Sequence, residues 1–196
     1  FGTTKKLNKL NKKTFFFNLE KPNFDFINYK LDAAIVCASI TSVKKCQQNP
    51  KKCEKINYLN TVKLIDYLTS KSIFTLFISS NLVFDGKKAF VSINEKPKPI
   101  SKYGKFKYSV ERHLKSKQYE NCSILRLTKV VGHDSKLIKS LKLKLKKNKL
   151  ITYDQNYLFS PIQINTVNKC IYKIVKRKSN GLFQIGGRKE YTLETF

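Results

Sequence analysis

Residues 99–113 read PISKYGKFKYSVERH, and within them Tyr103 stands four places before Lys107. On a helix, positions i and i+4 share a face, so this phenol and this ammonium would project side by side. A neighbouring ammonium favours the phenolate and lowers a phenol's pKa from about 10. A tyrosine tuned in this way exchanges a proton with a carbonyl or alcohol oxygen. The bland alternative is a half-buried core tyrosine beside one of many lysines, because Lys and Arg together number 40 of 196 residues.

Context separates the two. The run SIFTLFISS, 72–80, ends in Ser79 and Ser80; NLVFDG follows, then a loop over 85–101 holding Glu95, Pro97 and Pro99, then YGKFK. Ser80 alone could be a strand-end cap. A hydroxyl at a strand's end and a Tyr–Lys pair at the start of the next helix can converge on one substrate oxygen. The loop between them is long for a simple connection, and such loops often carry function.

The elements that must position these groups follow from hydropathy. TFFFNL, 14–19, and SIFTLFISS are short apolar runs of strand type. DAAIVCAS, 32–39, is nearly continuous in apolar residues, as expected of a strand covered on both faces. Residues 57–71 place Leu59, Val62, Leu64, Ile65 and Leu68 at helical spacing. Residues 102–118 have a helical rhythm, 121–132 read as a strand, and 136–149 as a helix with a leucine face and a lysine face. This alternation predicts an α/β fold, a Rossmann-like parallel sheet with helices on both faces. Such sheets bind ligands at the carboxyl ends of their strands. Two strands end there in small polar residues, at Ser39–Thr41 and Ser79–Asn81.

A formal charge of +27 would suit a nucleic-acid binder, but only residues 112, 126, 177 and 188 are arginine. Nucleic-acid sites favour arginine's planar fork, and no RNA motif is present. Lysine, asparagine, isoleucine, phenylalanine and tyrosine are enriched together, as a coding sequence rich in A and T would do. We therefore expect neither a nucleic-acid partner nor a membrane partner, and read the helix over 136–149 as a surface helix with a solvated side. Five widely spaced cysteines, with no C-x-x-C, argue against a disulfide framework and a zinc site. His113 and His133 lack ligand-spaced partners. A cytoplasmic protein without a metal is expected.

The stretch ISSNLVFDG…NEKPKPISKYGKFKYSVE resembles the central block of the extended short-chain dehydrogenase/reductases, and most of all the dTDP-4-dehydrorhamnose reductases. DAAIVCASITSVKKCQQNPKKCEKIN, ILRLTKVVG, SPIQINTVNKCI and GLFQIGG resemble flanking segments of that family, more weakly. The resemblance implies reduction of a nucleotide-bound keto-sugar by NADP, or NAD. Ser80 would bond the sugar's keto oxygen, Tyr103 would donate the proton, and Lys107 would hold the cofactor ribose. Ser39, Ile40 and Thr41 match a cofactor-contacting stretch, and Asn18 and Leu19 match a pair near the adenine. Asn81 falls where a substrate-contacting aspartate lies. A homodimer is compatible with the family. The alternatives are an epimerase or dehydratase on the same fold, and a non-catalytic regulatory relative like the methionine adenosyltransferase regulatory subunit. Dehydratases carry extra acid and base residues after the Ser/Thr, where this chain offers only Asp85.

The chain departs from the family in three places. No G-x-x-G-x-x-G turn is present, the chain lacks methionine, and it opens on FGTT and closes on YTLETF. The first reads as a strand end and the second as a first helical turn. The expectation is thus a truncated dinucleotide-binding part over 1–132, without its first βα unit, and a mostly substrate-binding part over 133–196. Weak cofactor binding by this piece, and no activity by it alone, are expected, the reductase activity belonging to the parent chain; tight NADPH binding would overturn that. Lys5 and Lys6 follow FGTT where an acid would select NAD, which leans towards NADP. Lys129 replaces the family's tryptophan, leaving the sugar open.

Overall fold

A computed structural model of the chain describes residues 1–24, 30–151 and 158–196. Its strands are β1 (Gly2–Thr4), β2 (Thr14–Phe16), β3 (Ala33–Val36), β4 (Phe74–Ser80), β5 (Cys122–Leu127), β6 (Lys129–Val131), β7 (Pro161–Gln163) and β8 (Gly181–Ile185). Its helices are α1 (Val43–Gln48), α2 (Pro50–Glu54), α3 (Asn60–Ser70), α4 (Lys102–Lys117), α5 (Lys136–Lys146) and α6 (Ile164–Lys176). The main sheet has the order β3-β4-β5-β8, and all its pairings are parallel. Two further parallel pairs, β1-β2 and β6-β7, stand apart from it.

The continuous apolar runs have a structural cause. Successive β4 residues serve opposite faces: Phe77 packs with Ile65, Leu68, Val110 and Leu114 of α3 and α4. Phe74 and Leu76 pack on the other face with Val167 and Ile174 of α6. A strand covered on both sides is therefore mainly apolar, and its polar residues, such as Thr75, are buried with a hydrogen-bond partner. The expected Rossmann-like sheet with helices on both faces is therefore present.

Some boundaries differ from the sequence expectation. The strand expected over 121–132 breaks at Thr128. Its first part stays in the main sheet, whereas β6 leaves to pair with β7. An apolar run does not signal a change of partner. The helix expected from residue 57 is preceded by α1 and α2, joined to α3 by a π-helical turn over Lys55–Leu59. Segment 43–54 is dominated by lysine, with only Cys46 and Cys53 buried, so it offers little periodicity. Its helix starts are set by capping. Ser42 Oγ accepts from Lys45 N at 3.2 Å and Asn49 Oδ1 from Lys52 N at 3.3 Å, with Pro50 at the first turn. The final segment forms a turn in which the Thr192 and Thr195 hydroxyls each accept the other's backbone N–H, rather than a helical turn. Within the stretch assigned mostly to substrate binding, β8 lies in the main sheet beside β5.

Candidate active site

The end of β4 and the start of α4 meet because one residue is glycine. Ser101 caps α4, its Oγ accepting from Gly104 N at 3.0 Å. A Cβ on Gly104 would stand 2.0 Å from the Leu82 carbonyl oxygen, on the short turn that follows Ser80. No side chain fits there, so the first turn of α4 lies directly on the Ser80 turn. We expect Gly104→Ala to force the two apart and to lower stability by about 1–3 kcal/mol, as overpacking does, read from urea unfolding.

This approach buries Tyr103, only 8% exposed, among Cys46, Cys53 and Phe106. Burial pushes its phenol up to about 12, with the Cys46 sulfur adding to the rise and interactions with Ser39 and Ser80 opposing it. The expectation that Lys107 lowers the Tyr103 pKa is therefore corrected. The Lys107 Nζ does stand 5.9 Å from the Tyr103 ring centroid, but burial dominates. The Tyr103 phenol therefore holds its proton at neutral pH and is not a phenolate.

Lys107 is 3% exposed. Its Nζ donates to the Ile78 carbonyl at 2.8 Å and lies 4.6 Å over the Phe77 ring. Burial lowers its pKa from 10.5 to about 8, with Cys37 and Glu111 opposing. Between those two values the unfolded chain holds the proton that the folded chain has released, so stability rises with pH across that window. Below about 8 both states are charged, and folding bears the cost of burying an ammonium. Lys107→Met should therefore raise stability at pH 7 by about 1–3 kcal/mol while abolishing function, an exchange common at sites. Thermal melts at pH 7 and pH 10 check it, because the gain should shrink at the higher pH.

The two serines at the strand end divide the work. Ser80, which opposes the rise of the Tyr103 pKa, accepts at its Oγ from Leu82 N at 3.2 Å. Ser79 turns away and donates to Glu111 Oε1 at 2.5 Å. Asn81, next along, is exposed.

The β3 segment meets the same place. Ser39 Oγ is buried with no hydrogen-bond partner among the described residues, and Thr41 is exposed. Ile40 is held from both sides: its N–H donates to Asn57 Oδ1 at 2.8 Å, and Asn57 Nδ2 donates to its carbonyl at 3.0 Å. Asn18 and Leu19 follow β2. Asn18 Oδ1 accepts from Glu20 N, and the Leu19 carbonyl accepts from Asn60 Nδ2 at 2.8 Å. Leu19 joins the core around α3 rather than the Tyr103 cluster.

Residues not singled out from the sequence also build the site. Asn57 fixes the Ser39–Thr41 turn from inside the π-helical turn, a distortion frequent at functional sites. Glu111 lies four residues after Lys107 on α4, a spacing that could have flagged it. Arg126 Nη2 donates to Glu111 Oε2 at 2.7 Å and its Nε reaches both carboxylate oxygens. Beside this centre, Phe84, Asp85, Val91, Glu95 and four lysines line a cavity of about 260 Å³. Among the described residues there is no cluster of metal ligands, and no helix is long and apolar enough to cross a membrane.

Several known proteins are similar to this chain. The family model described as the RmlD substrate binding domain matches residues 19–196. A probable low-salt glycan biosynthesis reductase, Agl14, of Haloferax volcanii is 30% identical over 53% of this chain and 35% of its own length. The methionine adenosyltransferase 2 subunit beta of Xenopus tropicalis is 26% identical over 63% of this chain and 41% of its own. The chain thus spans well under half of either relative. Among solved structures, a hypothetical dTDP-4-dehydrorhamnose reductase from Sulfolobus tokodaii superposes with a TM-score of 0.80 at 23% identity, covering 94% of this chain and 66% of that one. A dTDP-4-dehydrorhamnose reductase from Bacillus anthracis in complex with NADP gives 0.78 at 18% identity, covering 94% and 70%. Both likenesses are of fold.

Proposed function

Because the chain belongs to the RmlD substrate binding domain family, we propose that it serves in an NAD(P)-dependent reductase of a nucleotide-bound keto-sugar. The observation that carries this reading is the meeting of Ser80, Tyr103 and Lys107, drawn from a strand end and the next helix, around a buried phenol. A nicotinamide cofactor, when bound, supplies hydride to the carbonyl carbon. Tyr103 would give its proton to the keto oxygen, which stays on the sugar as the hydroxyl of the product. Ser80 orients that oxygen with its own hydroxyl. A phenol held near 12 is protonated throughout the neutral range, as a donor must be.

The cofactor fits the residues present. An ammonium has three donors, and the Ile78 carbonyl takes one of those on Lys107. The ribose hydroxyls offer acceptors for the rest. Ser39 and Thr41 would flank the cofactor, on a turn that Asn57 holds by both backbone groups of Ile40. Asn18 and Leu19 would lie towards the adenine, and Asn81 towards the sugar. Lys5 and Lys6, just past β1, favour the 2′-phosphate of NADP. The division at residue 132 into a cofactor part and a mostly substrate part belongs to the same reading.

A panel of dTDP- and UDP-linked 4-keto-sugars, assayed by NADPH and NADH oxidation on the whole reductase in which this chain would serve, tests the proposal. Turnover of at least one of them, with NADPH preferred, supports it; no turnover of any of them sinks it. The second reading, a non-catalytic regulatory relative, draws on the likeness to the adenosyltransferase subunit. It predicts nucleotide binding without turnover, and no effect of Tyr103→Phe.

A further inference from the structure

The loop over 85–101 connects the two halves of the site, and two side chains of the main sheet hold it from below. Arg126 of β5 and Gln184 of β8 are direct partners in the strand register. Arg126 Nη1 donates to the Ile93 carbonyl at 3.4 Å, and Gln184 Nε2 donates to the Val91 carbonyl at 2.6 Å. Two neighbouring side chains thus meet alternate carbonyls of the loop, as a paired strand would with its backbone. Arg126 also lies 5.0 Å from the centroid of Phe84, at the start of the loop, and its own aim is set by Glu111.

Gln184 is an odd choice for stability alone. It sits between Phe183 and Ile185, which pack into the core, and its Oε1 is buried with no partner among the described residues. A half-satisfied amide inside a strand costs stability, and such groups call for an explanation. What the amide does accomplish is to hold Val91.

The face of the loop held in this way lines the 260 Å³ cavity, where Lys87, Lys88, Lys96 and Lys98 outnumber Asp85 and Glu95. We propose that Arg126 and Gln184 are positioning residues that clamp the 85–101 loop as a cationic wall for the diphosphate of the nucleotide-sugar. The diphosphate assignment rests on the reductase reading; the clamp itself does not. A wall that is clamped beforehand binds without having to be ordered, which favours affinity over rate.

Trypsin supplies a readout independent of activity. Lys96 and Lys98 precede prolines, which leaves Lys87 and Lys88 as the cleavable loop sites. In Gln184→Met, which keeps the volume and loses the donor, cleavage after Lys88 should accelerate about tenfold, while cleavage after Lys146 and Lys147 keeps its rate. A general loss of stability would speed both sites together and would overturn the clamp, as would an unchanged rate at Lys88. In the keto-sugar assay the same variant should raise KM about fivefold with kcat within about twofold. Faster loop cleavage with an unchanged KM overturns the role as a wall. If Tyr103→Phe leaves turnover untouched, the reductase reading fails, and the trypsin result still decides the clamp.

Discussion

Tyr103→Phe should lower turnover of the keto-sugar by roughly 10²- to 10⁴-fold, the range for loss of a general acid. The fold should survive. The ring stays packed against Cys46, Cys53 and Phe106, and only a hydroxyl is lost from a site where burial already disfavours charge. The unfolding midpoint should hold or rise slightly, which separates a chemical defect from a structural one. The pH profile makes a further distinction. With its pKa near 12, Tyr103 contributes no alkaline limb to the reduction below pH 10. The limb that appears should lie near 8, where Lys107 loses its charge and with it the hold on the ribose. It should therefore be a fall in kcat/KM with rising pH, and cofactor bound to Lys107 should shift it upward. An alkaline limb that persists in a Lys107 variant with residual activity would count against this assignment.

Arg126→Met should cost about 3–5 kcal/mol of stability, because it strands a buried carboxylate. Glu111 is 5% exposed and Arg126 is 3% exposed, so water does not replace the lost partner. Ser79 would remain as a donor to Glu111 Oε1, too little for a carboxylate that now accepts three bonds from one guanidinium. Removing both partners, as Arg126→Met with Glu111→Leu, should recover most of the loss, since apolar groups of similar shape replace a buried pair at little cost. Urea unfolding of the two single variants and the double variant forms the cycle that measures this coupling. Additive losses would mean that the two side chains act independently and would contradict the geometry.

The block from Ser79 to Glu111 made the site readable because its groups are close in the chain. Ser80, Tyr103 and Lys107 span one strand end, one loop and one helical turn. Local spacing and alternation of elements were enough to place them together, and a strand with two covered faces reads as a mainly apolar run. By the same logic the lysine-rich segment 43–54 was silent: its helices bury little besides Cys46 and Cys53. The break at Thr128 was silent too, since β5 and β6 read as one continuous strand-type run and differ in their partners.

Other features depend on distance through space. The α/β alternation, the Tyr103–Lys107 face of α4 and the strand end that meets it were legible in the chain, because each follows from a period along it. Packing through space set the rest: Ser79 is the serine spent on Glu111, and Arg126 and Gln184, far apart in sequence, stand side by side. It also decided the sign of the Tyr103 shift. A motif announces a neighbouring charge, but the effect of that charge is set by desolvation. Desolvation depends on everything packed around the group: Cys46, Cys53 and Phe106 come from three different helices, and no spacing along the chain reveals them.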